Sequence, residues 1–120
     1  MATTIFDDLF AVSTEVRYVA LYRDGKLESR ERSGLAHASS SESDKYEELI
    51  VNPVLLKLVQ QRGDIDCGGA QWIMIRYGNF YQHVRPVEGG HVSIGMELSA
   101  RPLDLLRPIE SVLSRHGLLV

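Results

Sequence analysis

The chain has 120 residues, 44% of them hydrophobic, and a formal net charge of −3 at pH 7. This length and composition are typical of one globular domain with a buried core, so we predict a single domain over residues 1–120. The negative charge argues against a nucleic-acid-binding protein, which would need a basic face. No apolar run approaches the roughly 18 residues of a membrane span, so none is predicted.

The single cysteine and the N-terminal residues both bear on the cellular compartment. Cys67 has no second cysteine to pair with, so no internal disulfide can form and a reducing compartment is favoured. Residues 1–8 have neither the basic residues nor the long apolar run of a signal peptide. We therefore expect a cytoplasmic protein.

Glycine-containing pairs mark three turns between apolar runs: Asp24-Gly25, Gly78-Asn79 and Gly89-Gly90. Such pairs supply the positive φ angles that tight hairpins need. Around these turns the pattern predicts five strands, over residues 16–22, 26–33, 70–77, 80–85 and 91–98. The first strand is apolar on both faces near its middle, so it belongs inside the sheet. The second is strongly charged, as expected for an edge strand.

Helical spacing of apolar residues predicts four helices, over residues 4–13, 44–50, 53–62 and 102–116. Asn52-Pro53 suggests the N-cap and first residue of a new helix that ends at Gly63, and one kinked helix is the alternative. Hairpins between consecutive strands place strand 2 beside strand 1, and strand 4 between strands 3 and 5. The first strand needs a second neighbour, which strand 5 supplies. We predict an α+β domain with a five-stranded antiparallel sheet in order 2-1-5-4-3 and helices on both faces.

No set of residues has the spacing of a catalytic, metal or cofactor site, so we predict a non-catalytic protein without a metal or cofactor. The histidines are dispersed, and a hairpin centred on residues 88–89 places His83 opposite about residue 94 and His91 opposite about Pro86. Those two histidines therefore do not face each other. Cys67 lies near Asp64 and Asp66, whose charges oppose a reactive thiolate, and we interpret it as a small buried side chain.

The segment 72–75 is apolar on both faces, although the topology places its strand at the outer edge of the sheet. An apolar edge strand exposes an unpaired backbone ladder, which another molecule can cover. We therefore predict a homodimer joined through the strand at 72–77 and the helix at 53–62. The predicted interface residues are Trp72, Ile73, Ile75, Tyr77, Leu55, Leu58 and Val59.

The order of elements resembles the roadblock/LC7 family, which has a profilin-like fold. The resemblance rests on residues 19–26 (VALYRDGK), 73–81 (IMIRYGNFY) and 84–94 (VRPVEGGHVSI). It implies dimers joined through the third strand and the middle helix, and a role as scaffold or regulator of small GTPases or motors. The long polar connection at 34–43 and the break at Asn52-Pro53 depart from the family pattern.

Two functions follow as expectations. The first is a non-catalytic dimeric interaction module that acts on a partner such as a small Ras-like GTPase or a motor complex. The alternative is a small-molecule-sensing domain of profilin or PAS-like type. That alternative requires a pocket between sheet and helix, for which the position beside Gly95 is the candidate because the missing side chain leaves space.

Overall fold

In the computed structural model, which describes residues 3–119, five strands form one antiparallel sheet. The strands are β1 (Val16–Arg23), β2 (Lys26–Glu31), β3 (Ile73–Arg76), β4 (Tyr81–Val87) and β5 (Gly90–Met96). Their order is β2-β1-β5-β4-β3, and every neighbouring pair is antiparallel. The predicted fold class and strand order are confirmed.

The helices are α1 (Ile5–Phe10), α2 (Ser41–Tyr46), α3 (Asn52–Asp66) and α4 (Pro102–Arg115). A π-helical segment, Glu47–Val51, joins α2 to α3 and is called the π-turn below. No helix within residues 3–119 is both long enough and apolar enough to cross a bilayer.

The break predicted at Asn52-Pro53 is absent, and the chain runs from α2 through the π-turn into α3 as one helical rod. Asn52 has helical dihedral angles, φ −65° and ψ −44°, so it does not act as an N-cap. Pro53 has no N–H to donate, and the wider hydrogen-bond register of the π-turn just before it lets the rod continue. The alternative of a single helical run is the correct one.

Gly63 lies inside α3 and does not end it. A Cβ at this position would stand 2.9 Å from the backbone carbon of Gly69, so the glycine permits a close crossing of helix and loop. The helix continues to Asp66, and the Cys67 N–H bonds to the Gly63 carbonyl. Cys67 is consequently exposed, and its interpretation as a buried side chain was wrong.

Helices cover both faces of the sheet. On one face, α1 and α4 contribute Phe6, Leu9, Ile109 and Leu113 to an apolar core that includes Val19 of β1 and its register partner Ile94 of β5. The opposite face carries the alternate residues of the same strands, and the π-turn and the start of α3 lie over it. The two faces differ in chemistry, because most of the buried polar side chains lie between the second face and the helical run that covers it.

The register of the β4–β5 hairpin agrees with the sequence-based prediction. His83 pairs with Ile94 and Pro86 pairs with His91, so the two histidines do not face each other. Beside this hairpin's turn, at the same end of the sheet, Asp24 and Gly25 both have positive φ angles, 50° and 81°, in the turn between β1 and β2. Local turn chemistry therefore sets these registers.

Candidate functional site

Strand β3 and the exposed face of α3 form an apolar surface, which we call the α3–β3 surface. Three residues of α3, Val54, Leu58 and Ile65, are 52%, 59% and 75% exposed. Their spacings of four and seven residues place them on one line along the helix. Strand β3 pairs with β4 and is the last strand of the sheet on that side. The surface therefore combines exposed apolar side chains of α3 with the outer edge of β3, where the backbone has no further strand to pair with.

The predicted interface residues divide between this surface and the interior. Leu58 and Val59 are exposed and Leu55 is half-buried, whereas the neighbouring Leu56 turns inward. Ile73 and Ile75 are half-buried and lie opposite Val84 and Gln82 of β4. This register places them on the sheet face that the π-turn and α3 cover.

Two of the predicted interface residues lie outside the strand, because β3 is shorter than the predicted segment at 70–77. Trp72 precedes β3 and is half-buried, with its ring 5.7 Å from that of His83. Tyr77 follows β3, and its hydroxyl donates to the Glu47 carboxylate at 3.0 and 3.1 Å. The Tyr77 side chain therefore reaches toward the π-turn.

A groove of about 420 Å³ adjoins the α3–β3 surface where α3 crosses the segment that leads into β3. Leu58, Val59 and Trp72 form its apolar part, and Arg62, Cys67 and Gln71 line it as well. The groove lies beside the helix line and the strand edge described above. The apolar region is therefore continuous from α3 to the start of β3.

A second cavity, of about 390 Å³, lies between the sheet and the helical rod near α2 and the π-turn. We call it the acidic cavity, because four carboxylates line it: Glu31, Asp44, Glu47 and Glu48. Aromatic side chains form much of the remaining wall: Tyr18, Tyr46, Tyr77 and Phe80. Its location between sheet and helix is the one that the sensing alternative requires.

Gly95 does not line the acidic cavity itself but lies next to residues that do, and its missing side chain does not leave open space. A Cβ there would stand 3.2 Å from Tyr18 Cβ and 3.3 Å from Arg17 Cγ. Both of those residues line the cavity, as does Gln82, the register partner of Gly95. The predicted position was therefore close to the cavity, but neighbouring side chains fill the space over the glycine.

The carboxylates of the acidic cavity are only partly solvated, and their charges repel one another. Burial, with the nearby charges of Glu31 and Glu48, raises the pKa of Asp44 above its ordinary value. Burial also raises the pKa of Glu47, while the hydrogen bond from Tyr77 acts in the opposite direction. Burial and mutual repulsion therefore disfavour the charged forms of Asp44 and Glu47.

Arg17 is the one cation among the described residues that line the acidic cavity, and its charge is already paired. Its Nη1 lies 3.2 Å from Glu97 Oε2, and its Nη2 donates to the Ala36 carbonyl at 3.0 Å. The guanidinium also stacks over the Phe80 ring, 5.2 Å from its centroid. Arg17 therefore compensates a carboxylate outside the lining.

Glu48 is the centre of a buried polar network beneath the cavity. Its Oε1 lies 2.9 Å from His91 Nε2 and accepts from Asn52 Nδ2 at 2.9 Å, and its Oε2 accepts from the Tyr18 hydroxyl at 3.0 Å. Burial and the Glu48 carboxylate raise the pKa of Tyr18, which keeps the hydroxyl protonated as a donor. Ser93 extends the network by accepting from Asn52 and Gln82.

The sequence-based prediction missed this network. A signal was present, because His91 and Ser93 alternate with apolar residues in β5 and so share a face that a helix has to cover. Glu48 and Asn52 were assigned to separate helices, which hid their common orientation. The π-turn carries Glu48, and such wider turns within helices are frequent at functional sites.

The described residues, 3–119, contain no group of three or more His, Cys, Asp or Glu side chains that could hold a metal ion. No protein-family model matches the chain. A search of curated proteins likewise finds no relative. The resemblance to the roadblock/LC7 family therefore stays a prediction.

Proposed function

We propose that this chain is a dimeric protein-interaction module of the roadblock/LC7 type that acts in the cytoplasm. In this proposal it is a non-catalytic scaffold or regulator of a small Ras-like GTPase or of a motor complex. The observation that supports the proposal is the α3–β3 surface, which combines an exposed apolar helix line with an unpaired strand edge. A second copy of the chain satisfies both features at once.

The dimer joins two β3 strands in antiparallel fashion about a two-fold axis, so that two five-stranded sheets become one. In this arrangement the two α3 helices lie side by side and bury Val54, Leu58 and Ile65 against their counterparts. Arg62 lies between Leu58 and Ile65 on this face, and its charge is paired with Asp66 within the same helix. The paired helices then present one broad two-fold surface to a partner.

Leu58→Lys is the variant that tests the dimer. Leu58 is 59% exposed within one chain, so a lysine there leaves the fold intact and places an unpaired charge in the dimer interface. The matched control is Leu103→Lys, which changes a leucine that is 67% exposed in α4, on the opposite face of the sheet. Ile75→Lys is less informative, because Ile75 is half-buried within its own chain.

Light scattering across a tenfold dilution series measures the mass of each variant. We expect twice the chain mass for the wild type and Leu103→Lys, and the chain mass for Leu58→Lys with an unchanged circular dichroism spectrum. A wild-type protein with the chain mass at every concentration contradicts the dimer. Equal masses for the two lysine variants contradict the assignment of the surface.

Affinity capture from the native cell lysate tests the partner. We expect the wild-type chain to enrich a small Ras-like GTPase or a motor subunit, and Leu58→Lys to lose that enrichment because it lacks the paired helices. Identical protein sets for wild type and variant, with no GTPase or motor subunit enriched, contradict the proposed function.

The acidic cavity supports a second candidate, the small-molecule-sensing domain. Its volume of about 390 Å³ lies within the range of ligand sites in proteins, roughly 300–1,000 Å³, and it combines aromatic walls with a few polar groups. Native mass spectrometry of freshly purified protein tests this candidate. A retained small molecule supports it, and a mass without any bound small molecule, under conditions that preserve weak complexes, argues for the interaction module alone.

A further inference from the structure

We propose that the acidic cavity binds a small aliphatic amine that carries two or more ammonium groups. This inference deepens the second candidate function, the sensing domain, and it does not depend on the dimer.

The charge balance of the cavity lining is the first argument. Of the four lining carboxylates, Glu48 already has its buried partners, which leaves Glu31, Asp44 and Glu47. The single guanidinium of the lining, Arg17, is paired with Glu97. Lys45, the cation next to Asp44 in sequence, pairs with Glu42 at 3.6 Å, and Glu42 is not part of the lining. The Glu47 carboxylate accepts hydrogen bonds from the neutral Tyr77 hydroxyl, which brings no compensating charge. A cationic ligand supplies the charge that this lining lacks.

A buried amide on the cavity floor is an independent argument for a hydrogen-bond donor in the ligand. Gln82 is 2% exposed, and its Nε2 donates to Ser93, which commits the amide nitrogen. Its Oε1 lies 3.6 Å from the position that a Cβ at Gly95 would take, and Gln82 itself lines the cavity. No hydrogen bond to Oε1 occurs among the described residues, so this oxygen is available to accept one from an ammonium group.

The aromatic wall accounts for the aliphatic part of the ligand. The rings of Tyr77 and Phe80 lie 5.3 Å apart, and the rings of Tyr18 and Tyr46 also border the cavity. Aromatic faces attract ammonium groups and pack against methylene chains. An alkyl chain between two ammonium groups therefore matches a cavity that has both apolar and anionic walls.

The dispersion of the carboxylates favours an extended cation over a metal ion. Within residues 3–119 no three His, Cys, Asp or Glu side chains converge closely enough to hold one metal. A single compact charge can therefore neutralise only part of the lining. Two ammonium groups separated by methylenes can each meet a different carboxylate, with Asp44 of α2 and Glu47 of the π-turn, neighbours on one helical face, as the first candidates.

Isothermal titration with 1,4-diaminobutane at low salt tests the inference, with 1,4-butanediol and succinate as neutral and anionic probes of similar length. We expect saturable binding of the diamine at one site per chain and no binding of the other two. Absence of saturable diamine binding overturns the inference. Diol binding of equal strength overturns it as well, because charge is then irrelevant.

Matched variants locate the site. Asp44→Asn and Glu47→Gln should each weaken diamine binding by about tenfold or more, the size expected when one charge-assisted contact is lost. Glu28→Gln removes the same charge from an exposed position of β2 that does not line the cavity, and it should bind as the wild type does. Equal weakening in all three variants indicates nonspecific attraction and overturns the site.

The Leu58→Lys variant separates this inference from the proposed dimer. Leu58 does not line the acidic cavity, so we expect this variant to bind the diamine with wild-type affinity whatever its mass. Diamine binding by a monomeric chain contradicts only the dimer, and a dimeric chain without diamine binding contradicts only the ligand inference.

Discussion

Glu48 Oε1 lies 2.9 Å from His91 Nε2, and the two residues join the π-turn to β5 across 43 positions of sequence. Their side chains are 0% and 3% exposed. Two further donors, Asn52 and Tyr18, complete the hydrogen bonds of the carboxylate, so the group is buried with its acceptor sites used. This contact ties the helical rod to the sheet beneath the acidic cavity.

Replacement of Glu48 by leucine should destabilise the fold by about 3 kcal/mol, because it leaves three buried donors without their acceptor. Urea unfolding measures the change, with the exposed Glu28→Gln as a control that should stay within about 0.5 kcal/mol of the wild type. The double variant Glu48→Leu with His91→Leu should lose less than the sum of the two single changes. Additive losses contradict a coupled pair.

Burial lowers the pKa of His83 to about 4 from its ordinary value of 6.5. Between these values the unfolded chain binds a proton that the folded chain does not, so the free energy of unfolding should fall as the pH drops from 6.5 toward 4. The difference between these two pKa values corresponds to a loss of about 3 kcal/mol in the free energy of unfolding. Above pH 6.5 this contribution is fully retained.

Urea unfolding at pH 7.5 and 4.5 measures the loss for the wild type and for His83→Gln. The glutamine variant should show a smaller decrease, because it removes the titrating ring. His37→Asn, a change in an exposed turn, should leave the decrease unchanged. An equal decrease in wild type and His83→Gln contradicts the role of His83.

Gly63→Ala should destabilise the fold by about 1–3 kcal/mol although alanine favours helices. The new Cβ would lie 2.9 Å from the backbone carbon of Gly69 and 3.0 Å from the nitrogen of Ala70, and backbone atoms cannot move aside as a flexible side chain can. Gln61→Ala, at an exposed position of the same helix, is the control for propensity. A stabilised Gly63→Ala protein shows that the crossing is looser than described.

Thr4→Ala should cost about 1 kcal/mol, because Thr4 and Asp7 form a reciprocal capping box at the start of α1. Thermal unfolding measures the effect, and Thr14→Ala in an exposed loop is the control. Because α1 covers part of the apolar core, the loss should appear in the single global transition. An unchanged midpoint contradicts a contribution from the cap.

The strand order and the hairpin registers were predictable from the sequence alone. Asp24-Gly25 and the turn at Glu88-Gly89 act over a few residues, and the alternation of apolar side chains in β5 then assigns each residue to a face. Such signals are local, so they persist whatever the rest of the chain does. The doubly apolar β1 needed two neighbours, and β5 provides the second.

The tertiary structure decided the features that depend on segments distant in sequence. Asn52 has the side chain of an N-cap, yet it lies within the helical rod because its amide can reach Glu48 and Ser93. Gly63 has the flexibility of a C-cap, yet the crossing with the loop at Gly69 places it inside the helix. The intrinsic preference of such residues for a helix end is about 1 kcal/mol, and buried contacts of larger energy override it. The acidic cavity exists only where the rod, β1 and the β3–β4 turn meet, so no single segment of the sequence could have indicated it.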